Sequence, residues 1–280
     1  MTKYRLNRSI IVAAALLLLC GCITYSGNNN VSYGLEVPAI GPEDNIIKHS
    51  GYDDIQYDVS SAKISDDNKV AYYVSYDVAN KIPSWVAYDL TAEELEGTAS
   101  RKGKNFKPDA NVCFPQAEHA DYKGSGWTKG HLAPAADFKW SDRAMDDTFY
   151  FTNCCPQTDY FNSTSWERLE SRVRKWAKQY GRIYIVTGPI IGKARNGKIG
   201  ANGITIPDAF YKALLVKYNQ TYQAIGFILL NDDSVQSYVN CSVSINDELE
   251  SITGEDFFPL LNDDIEEIVE GQVSRKFWGI

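Results

Sequence analysis

The alternation of apolar and polar positions predicts a protein built mainly from strands. Residues 70–77 (VAYYVSYD), 84–89 (SWVAYD), 148–153 (TFYFTN), 183–187 (IYIVT), 210–217 (FYKALLVK) and 221–230 (TYQAIGFILL) concentrate β-branched and aromatic side chains in short runs. Helical spacing is rarer. It is clearest in 163–180, where Leu169, Val173 and Trp176 recur with charges between them. Ser244 to Gly254 reads as a capped helix closed by a glycine, and 263–272 as another. Strands outnumber helices and do not alternate regularly with them, so the expected class is α+β, a mainly antiparallel sheet core with packed helices.

The N-terminus has a different pattern. Lys3, Arg5 and Arg8 precede an apolar run, residues 10–19, too short to span a bilayer as a helix. The run ends at Leu19-Cys20-Gly21-Cys22, which resembles a bacterial lipobox; an ordinary signal peptide or an uncleaved anchor are the alternatives. The expected organisation is a lipoprotein signal peptide over 1–22 with Cys22 lipidated, a flexible tether over 23–50 and one domain over 51–280. The tether reading rests on Ser26, Gly27, the three asparagines 28–30, Gly34, Pro38, Gly41 and Pro42. The resulting expectation is an exported bacterial protein, held by lipid to a membrane on its periplasmic side or at the cell surface.

Composition bounds the function. With 44% hydrophobic and 23% charged residues the chain is globular rather than disordered. Its net charge of −8 argues against a protein that coats nucleic acid, though not against an enzyme with a local basic patch. The negative charge is partly concentrated at the end of the chain, where ten acids fall within 247–270. Cys113, Cys154, Cys155 and Cys241 could form disulfides in an oxidising compartment, but Cys154 and Cys155 would face opposite sides of a strand. No Cys/His spacing suggests zinc.

Among three histidines, His131 has the most suggestive setting: Gly124 and Gly126, then Lys129-Gly130-His131, with Pro134 after it. Downstream, Asn162, Trp166, Glu170 and Arg174 lie four residues apart, so a helix there would place all four on one face. An amide, a carboxylate and a guanidinium make a poor core stripe and a plausible metal-and-phosphate stripe; a solvated helix with an i,i+4 Glu–Arg pair is the plainer alternative.

These residues resemble the DNA/RNA non-specific endonucleases, the endonuclease G-like family with a ββα-metal (His-Me finger) motif. The resemblance runs through Thr128-Lys129-Gly130-His131, Ala133-Pro134-Ala135-Ala136-Asp137, Thr152-Asn153-Cys154-Cys155-Pro156-Gln157, Asn162, Trp166, Glu170 and Arg174. It continues in Asn105-Phe106, Val186-Thr187-Gly188-Pro189 and Ile206-Pro207-Asp208-Ala209-Phe210-Tyr211-Lys212, and covers roughly 70–270.

The resemblance implies a metal-dependent, sugar-non-specific endonuclease that hydrolyses DNA and RNA to 5′-phosphate and 3′-hydroxyl ends. His131 would be the general base. Asn162 would be the one direct protein ligand of Mg²⁺, with Mn²⁺ as a substitute, and Glu170 would hold the waters around the ion. Arg174, Lys129 and Arg101 would contact backbone phosphates, which carry little sequence information. The family's signature has Asp-Arg where this chain has Thr128-Lys129, and lysine lacks the bidentate fork of arginine. The family's upstream arginine falls by offset on Lys102, with Arg101 one residue earlier and favoured here. The alternatives are a non-catalytic or weakly active nucleic-acid-binding lipoprotein retaining the fold, and an envelope lipoprotein with no nucleic-acid partner.

Overall fold

The computed structural model describes residues 33–42, 44–50, 70–112, 115–192 and 196–280. Eleven strands are present among them: β1 (Ile46–His49), β2 (Tyr72–Asp77), β3 (Ile82–Thr91), β4 (Thr128–His131), β5 (Cys154–Gln157), β6 (Arg182–Ile190), β7 (Lys198–Ile199), β8 (Ile204–Thr205), β9 (Ala209–Tyr218), β10 (Thr221–Leu230) and β11 (Ser242–Val243). Seven form one sheet in the order β1-β2-β3-β6-β9-β10-β11, with every pairing antiparallel. The helices are short apart from one: α1 (His119–Tyr122), α2 (Asp142–Asp147), α3 (Glu167–Tyr180), α4 (Ser251–Thr253), α5 (Asp263–Glu270) and α6 (Arg275–Trp278). The α+β class with a large antiparallel sheet is as expected.

The sheet is buried on both faces, and β9 shows why its sequence is nearly all apolar. Phe210, Leu214 and Val216 enter one core, where they meet Leu169, Val173, Trp176 and Ala177 of α3. Tyr211, Ala213 and Leu215 enter the other, with Ile245, Leu249, Phe257 and Phe258. The β9–β10 hairpin closes on Asn219 and Gln220, both at positive φ (47° and 66°), the backbone that a two-residue turn matched to strand twist requires. Burial of Val173 or Leu169 stabilises the α3 interface by roughly 1.5–3 kcal/mol each. Trp176 also donates its indole N–H to the Trp278 carbonyl at 2.9 Å, pinning α6 to α3.

Two expectations are corrected. The strand predicted over 148–153 is instead a turn: Phe151–Asn153 forms one 3₁₀ turn and the strand starts at Cys154. The Asn153 side chain forces this, bonding both the N–H and the carbonyl of Ala133 and the carbonyl of Thr148. The described part of 23–50 is not a tether: Val37 is buried, Ala39 N–H donates to the Asp256 carbonyl, and β1 pairs with β2. Apolar and β-branched side chains at 46–47 and a buried His49 outweigh the surrounding turn formers. His49 stacks between Tyr72 and Tyr150 with Nε2 3.3 Å from Asp109 Oδ2, which makes it part of the core. The cysteines, whose pairing the sequence left open, are free thiols at Cys154, Cys155 and Cys241 among the described residues, while Cys113 lies outside them.

Candidate active site

Strands β4 and β5 pair beside the main sheet and lead into α3, which gives a ββα arrangement. In β4, period-2 alternation sends Lys129 and His131 to one side and Thr128 and Gly130 to the other. Gly130 has no room for a side chain, since a Cβ there would run into the Gln157 amide of the paired strand.

The segment carrying Asn162 is a π-helical turn, Phe161–Trp166, which continues directly into α3. This corrects the expected four-residue stripe. Trp166 packs into the core against Phe161 and Phe210, whereas Asn162, Glu170 and Arg174 face a pocket. That pocket, about 440 Å³, is lined by Arg101, Phe106, Lys129, His131, Asn162, Glu170 and Arg174, together with Pro134, Ala135, Ala136, Ser163 and Glu167. All six residues assigned to catalysis or metal binding from the sequence therefore share one cavity. Lys102, the alternative to Arg101, is not among its walls.

His131 is held between two rings, Phe106 at 4.5 Å and Phe149 at 4.8 Å between centroids. Its Nε2 is buried without a hydrogen-bond partner, so Nδ1 is the nitrogen left to meet a water in the pocket. Burial, and after it the Arg101 charge, pushes its pKa down to about 3. The imidazole is therefore neutral at neutral pH, with a ring-nitrogen lone pair available. The Asn162 amide donates to Thr128 Oγ1 at 3.4 Å, and that hydroxyl donates to the Gln157 carbonyl at 3.0 Å. This fixes the amide nitrogen toward β4 and leaves the amide oxygen as the free donor atom.

Below the pocket lies a set of charges of which spacing singled out only Glu170 and Arg174. Arg174 donates to Asp137 Oδ1 at 3.0 Å, and Tyr88 donates to Asp137 Oδ2 at 2.8 Å. Burial pushes the Glu170 carboxyl up to about 7, opposed most strongly by the charge of Lys212. Lys212 is itself 1% exposed. A signal for it existed: it is the one charged residue in the apolar run 209–216. Phe106, the aromatic residue of the Asn105-Phe106 motif, packs against the His131 ring. The pocket can thus hold an anion at its cationic rim, bind a hard cation through an amide and a carboxylate, and take a proton from water.

Comparison with known proteins bears on this arrangement. The family model described as "DNA/RNA non-specific endonuclease" matches residues 52–264. The chain is 37% identical over 213 residues to Nuclease EXOG, mitochondrial, of Xenopus laevis, covering 70% of this chain and 58% of that one. It is 36% identical over 160 residues to Endonuclease G, mitochondrial, of Homo sapiens, covering 54% of each. The chain thus spans little more than half the length of these two relatives. Among solved structures it is similar to the one described as "Crystal structure of the EndoG/EndoGI complex: Mechanism of EndoG inhibition", with TM-score 0.65 and 29% identity over 69% of this chain and 85% of that chain. These relatives overturn the expected localisation. They are named as mitochondrial nucleases of animals, not as membrane-anchored bacterial lipoproteins. In addition, no helix among the described residues is long and apolar enough to cross a membrane. The expectation rested on residues 1–22, including Cys22, which lie outside the described residues.

Proposed function

Because this chain belongs to the DNA/RNA non-specific endonuclease family, we propose that it hydrolyses phosphodiester bonds of DNA and RNA with a divalent metal ion, leaving 5′-phosphate and 3′-hydroxyl ends. The observation that carries the reading is the meeting of His131, Asn162, Glu170 and Arg174 in one pocket with Lys129 and Arg101. His131 takes a proton from water through Nδ1, since it is neutral and its other nitrogen is sealed in the core. Arg174, anchored to Asp137, and the rim cations Arg101 and Lys129 orient the substrate through its phosphates.

The donor set suits a hard cation that keeps most of its waters. Among the described residues no three His, Cys, Asp or Glu side chains converge into a cage, whereas the Asn162 amide oxygen is free and Glu170 stands one helical stretch away in the same cavity. When bound there, Mg²⁺ would offset charge on the scissile phosphate and help the 3′ oxygen leave. Glu170 would order water in the pocket. The catalytic unit takes in β1, upstream of residue 51, because that strand closes the sheet edge.

Incubation with plasmid and with RNA, with Mg²⁺, with Mn²⁺ and with EDTA, tests the reading. Metal-dependent cleavage that is lost in His131→Ala is expected. Salt-sensitive binding without turnover would instead favour a non-catalytic binder, the reading prompted by Lys129, and Lys129→Arg would then show whether turnover returns.

A further inference from the structure

The turn that carries Asn162 starts from a cap. Thr158 is the first residue after β5. Its hydroxyl accepts the Phe161 N–H at 3.1 Å, and its carbonyl accepts the Asn162 N–H at 3.0 Å. These are the bonds that an N-cap residue makes at the start of a helix. They fix the backbone of Asn162 relative to Thr158. Where the Asn162 amide stands therefore depends on what fixes Thr158.

Asn231, the first residue past β10, holds it. Its Oδ1 accepts the Thr158 N–H at 3.1 Å, and its Nδ2 donates to the carbonyls of Pro156 at 3.1 Å and Pro207 at 2.9 Å. Its own N–H donates to the Asp208 carbonyl at 3.0 Å, which anchors it to the approach to β9. The side chain thus uses its oxygen and both amide hydrogens on three partners that are remote from it in sequence or in another strand. Two of these three bonds go to residues 156–158, on either side of the pocket residues: Pro156 pairs with Lys129 across β4–β5, and Thr158 caps the Asn162 turn. Asn231 is 3% exposed and is not among the pocket walls.

We propose that Asn231 is a positioning residue of the metal site: by holding Thr158 and Pro156 it sets where the Asn162 amide oxygen stands in the pocket, touching neither substrate nor ion. This rests on the nuclease reading, in which Asn162 is the direct protein ligand of a divalent cation. Removing the Asn231 amide leaves the Thr158 N–H and the carbonyls of Pro156 and Pro207 without this partner. The cap then shifts, and the turn that begins on it shifts with it.

The test uses the full chain with Asn231→Ala and, as a control, Leu249→Ala, which opens a cavity in the core on the other face of the sheet. Free Mn²⁺ measured by electron paramagnetic resonance, without nucleic acid, reports metal affinity independently of turnover. Asn231→Ala should bind Mn²⁺ on the order of tenfold more weakly, as for loss of a group that orients a metal ligand. Leu249→Ala should bind it as wild type does, at temperatures where both variants are folded. On DNA, the Mg²⁺ concentration giving half-maximal rate should rise in Asn231→Ala alone. Thr158→Val, which removes the hydroxyl bonded to Phe161, tests the route. If Asn231 acts through the cap, the two substitutions together weaken Mn²⁺ binding by less than the product of their separate effects. Wild-type Mn²⁺ affinity in Asn231→Ala overturns the proposal, as does an equal loss in Leu249→Ala or effects of Asn231→Ala and Thr158→Val that simply multiply.

Should Asn231→Ala not fold, hydrogen exchange in the wild type decides. The turn that Asn231 holds is also the turn that a bound ion stabilises, and such coupling is reciprocal. Mg²⁺ should therefore slow exchange of the Thr158 N–H and of the Asn231 side-chain amide more than that of amides within β10. Uniform slowing, or none, overturns the proposal. A wild type that neither binds Mn²⁺ nor cleaves nucleic acid sinks the nuclease reading itself, an outcome distinct from a wild type that binds the ion and a variant that binds it equally well.

Discussion

Arg174 Nη1 donates to Asp137 Oδ1 at 3.0 Å, so the guanidinium facing the pocket is anchored from behind by a carboxylate that is 1% exposed. Asp137 is tied to the site by this contact and by its bond from Tyr88. Asp137→Ala should destabilise the protein by about 3–5 kcal/mol in urea unfolding, the usual cost of breaking a buried charge pair. In the isosteric Asp137→Asn the Tyr88 bond survives, so the loss of stability should be smaller while KM for DNA rises. An Asp137→Asn variant with wild-type KM would mean that Arg174 does not depend on Asp137 for its orientation.

His131 should be indispensable yet invisible in the pH profile. As general base its removal should cost on the order of 10²–10⁴ in kcat. With its pKa pushed down to about 3 it stays neutral from pH 5 to 8, so the rate should show no titration of His131 across that range. Stability carries its signature instead. The unfolded chain takes a proton on this residue near its ordinary 6.5, whereas the folded chain refuses it until about 3. Between those limits the unfolded state binds more protons, so His131 makes stability fall as pH drops. Urea unfolding of His131→Leu against wild type at pH 7 and pH 4 checks this: the variant should lose less stability on acidification.

Much of this was legible in the sequence, for identifiable reasons. The long strands β9 and β10 announce themselves by β-branched and aromatic runs, and Asn162, Glu170 and Arg174 stand out by their four-residue spacing, but Lys129, Arg101 and the role of each pocket residue came from the family resemblance. What was not legible depends on geometry that spacing does not encode. Trp166 shares the four-residue rhythm of its neighbours but packs into the core, in a segment that is a π-helical turn rather than the expected α-helix. The four-residue β1 sits among glycines and prolines and shows its nature only by pairing with β2. Lys212 could be seen as an odd charge in an apolar strand, but its partners Leu132, Trp166 and Thr187 come from three remote segments. The lipobox-like N-terminus, read locally, gave a localisation that the named relatives contradict.

Lys129 marks where this chain departs from the signature it resembles. Its Nζ lies 5.5 Å from the Tyr122 ring centroid, at the pocket wall. A lysine supplies a point charge where an arginine would grip two phosphate oxygens. Lys129→Arg should therefore raise kcat/KM on plasmid DNA severalfold, and Lys129→Ala should lower it by roughly tenfold or more, as expected for loss of one charge-assisted bond worth about 1.5–3 kcal/mol. The Ala variant should also lose less affinity as salt is raised, having one phosphate contact fewer. Equal rates for all three would remove Lys129 from the site.

Gly130 tests how tightly the general base depends on the strand beneath it. A methyl group there would collide with the Gln157 side chain, which is fully buried between β4 and β5. Gln157 is fully buried, so strain that its side chain does not absorb is taken up by separating the strands or shifting β4 along β5. Either movement displaces Lys129 and His131, which flank Gly130 on the opposite side. Gly130→Ala should cost about 1–3 kcal/mol of stability, in the range of overpacked cores. It should also lower kcat by more than any loss of folded enzyme accounts for. Gly130→Ala with Gln157→Ala removes the collision, and in that double variant part of the kcat should return. If the double variant stays as slow as the single, the constraint on His131 does not run through Gln157.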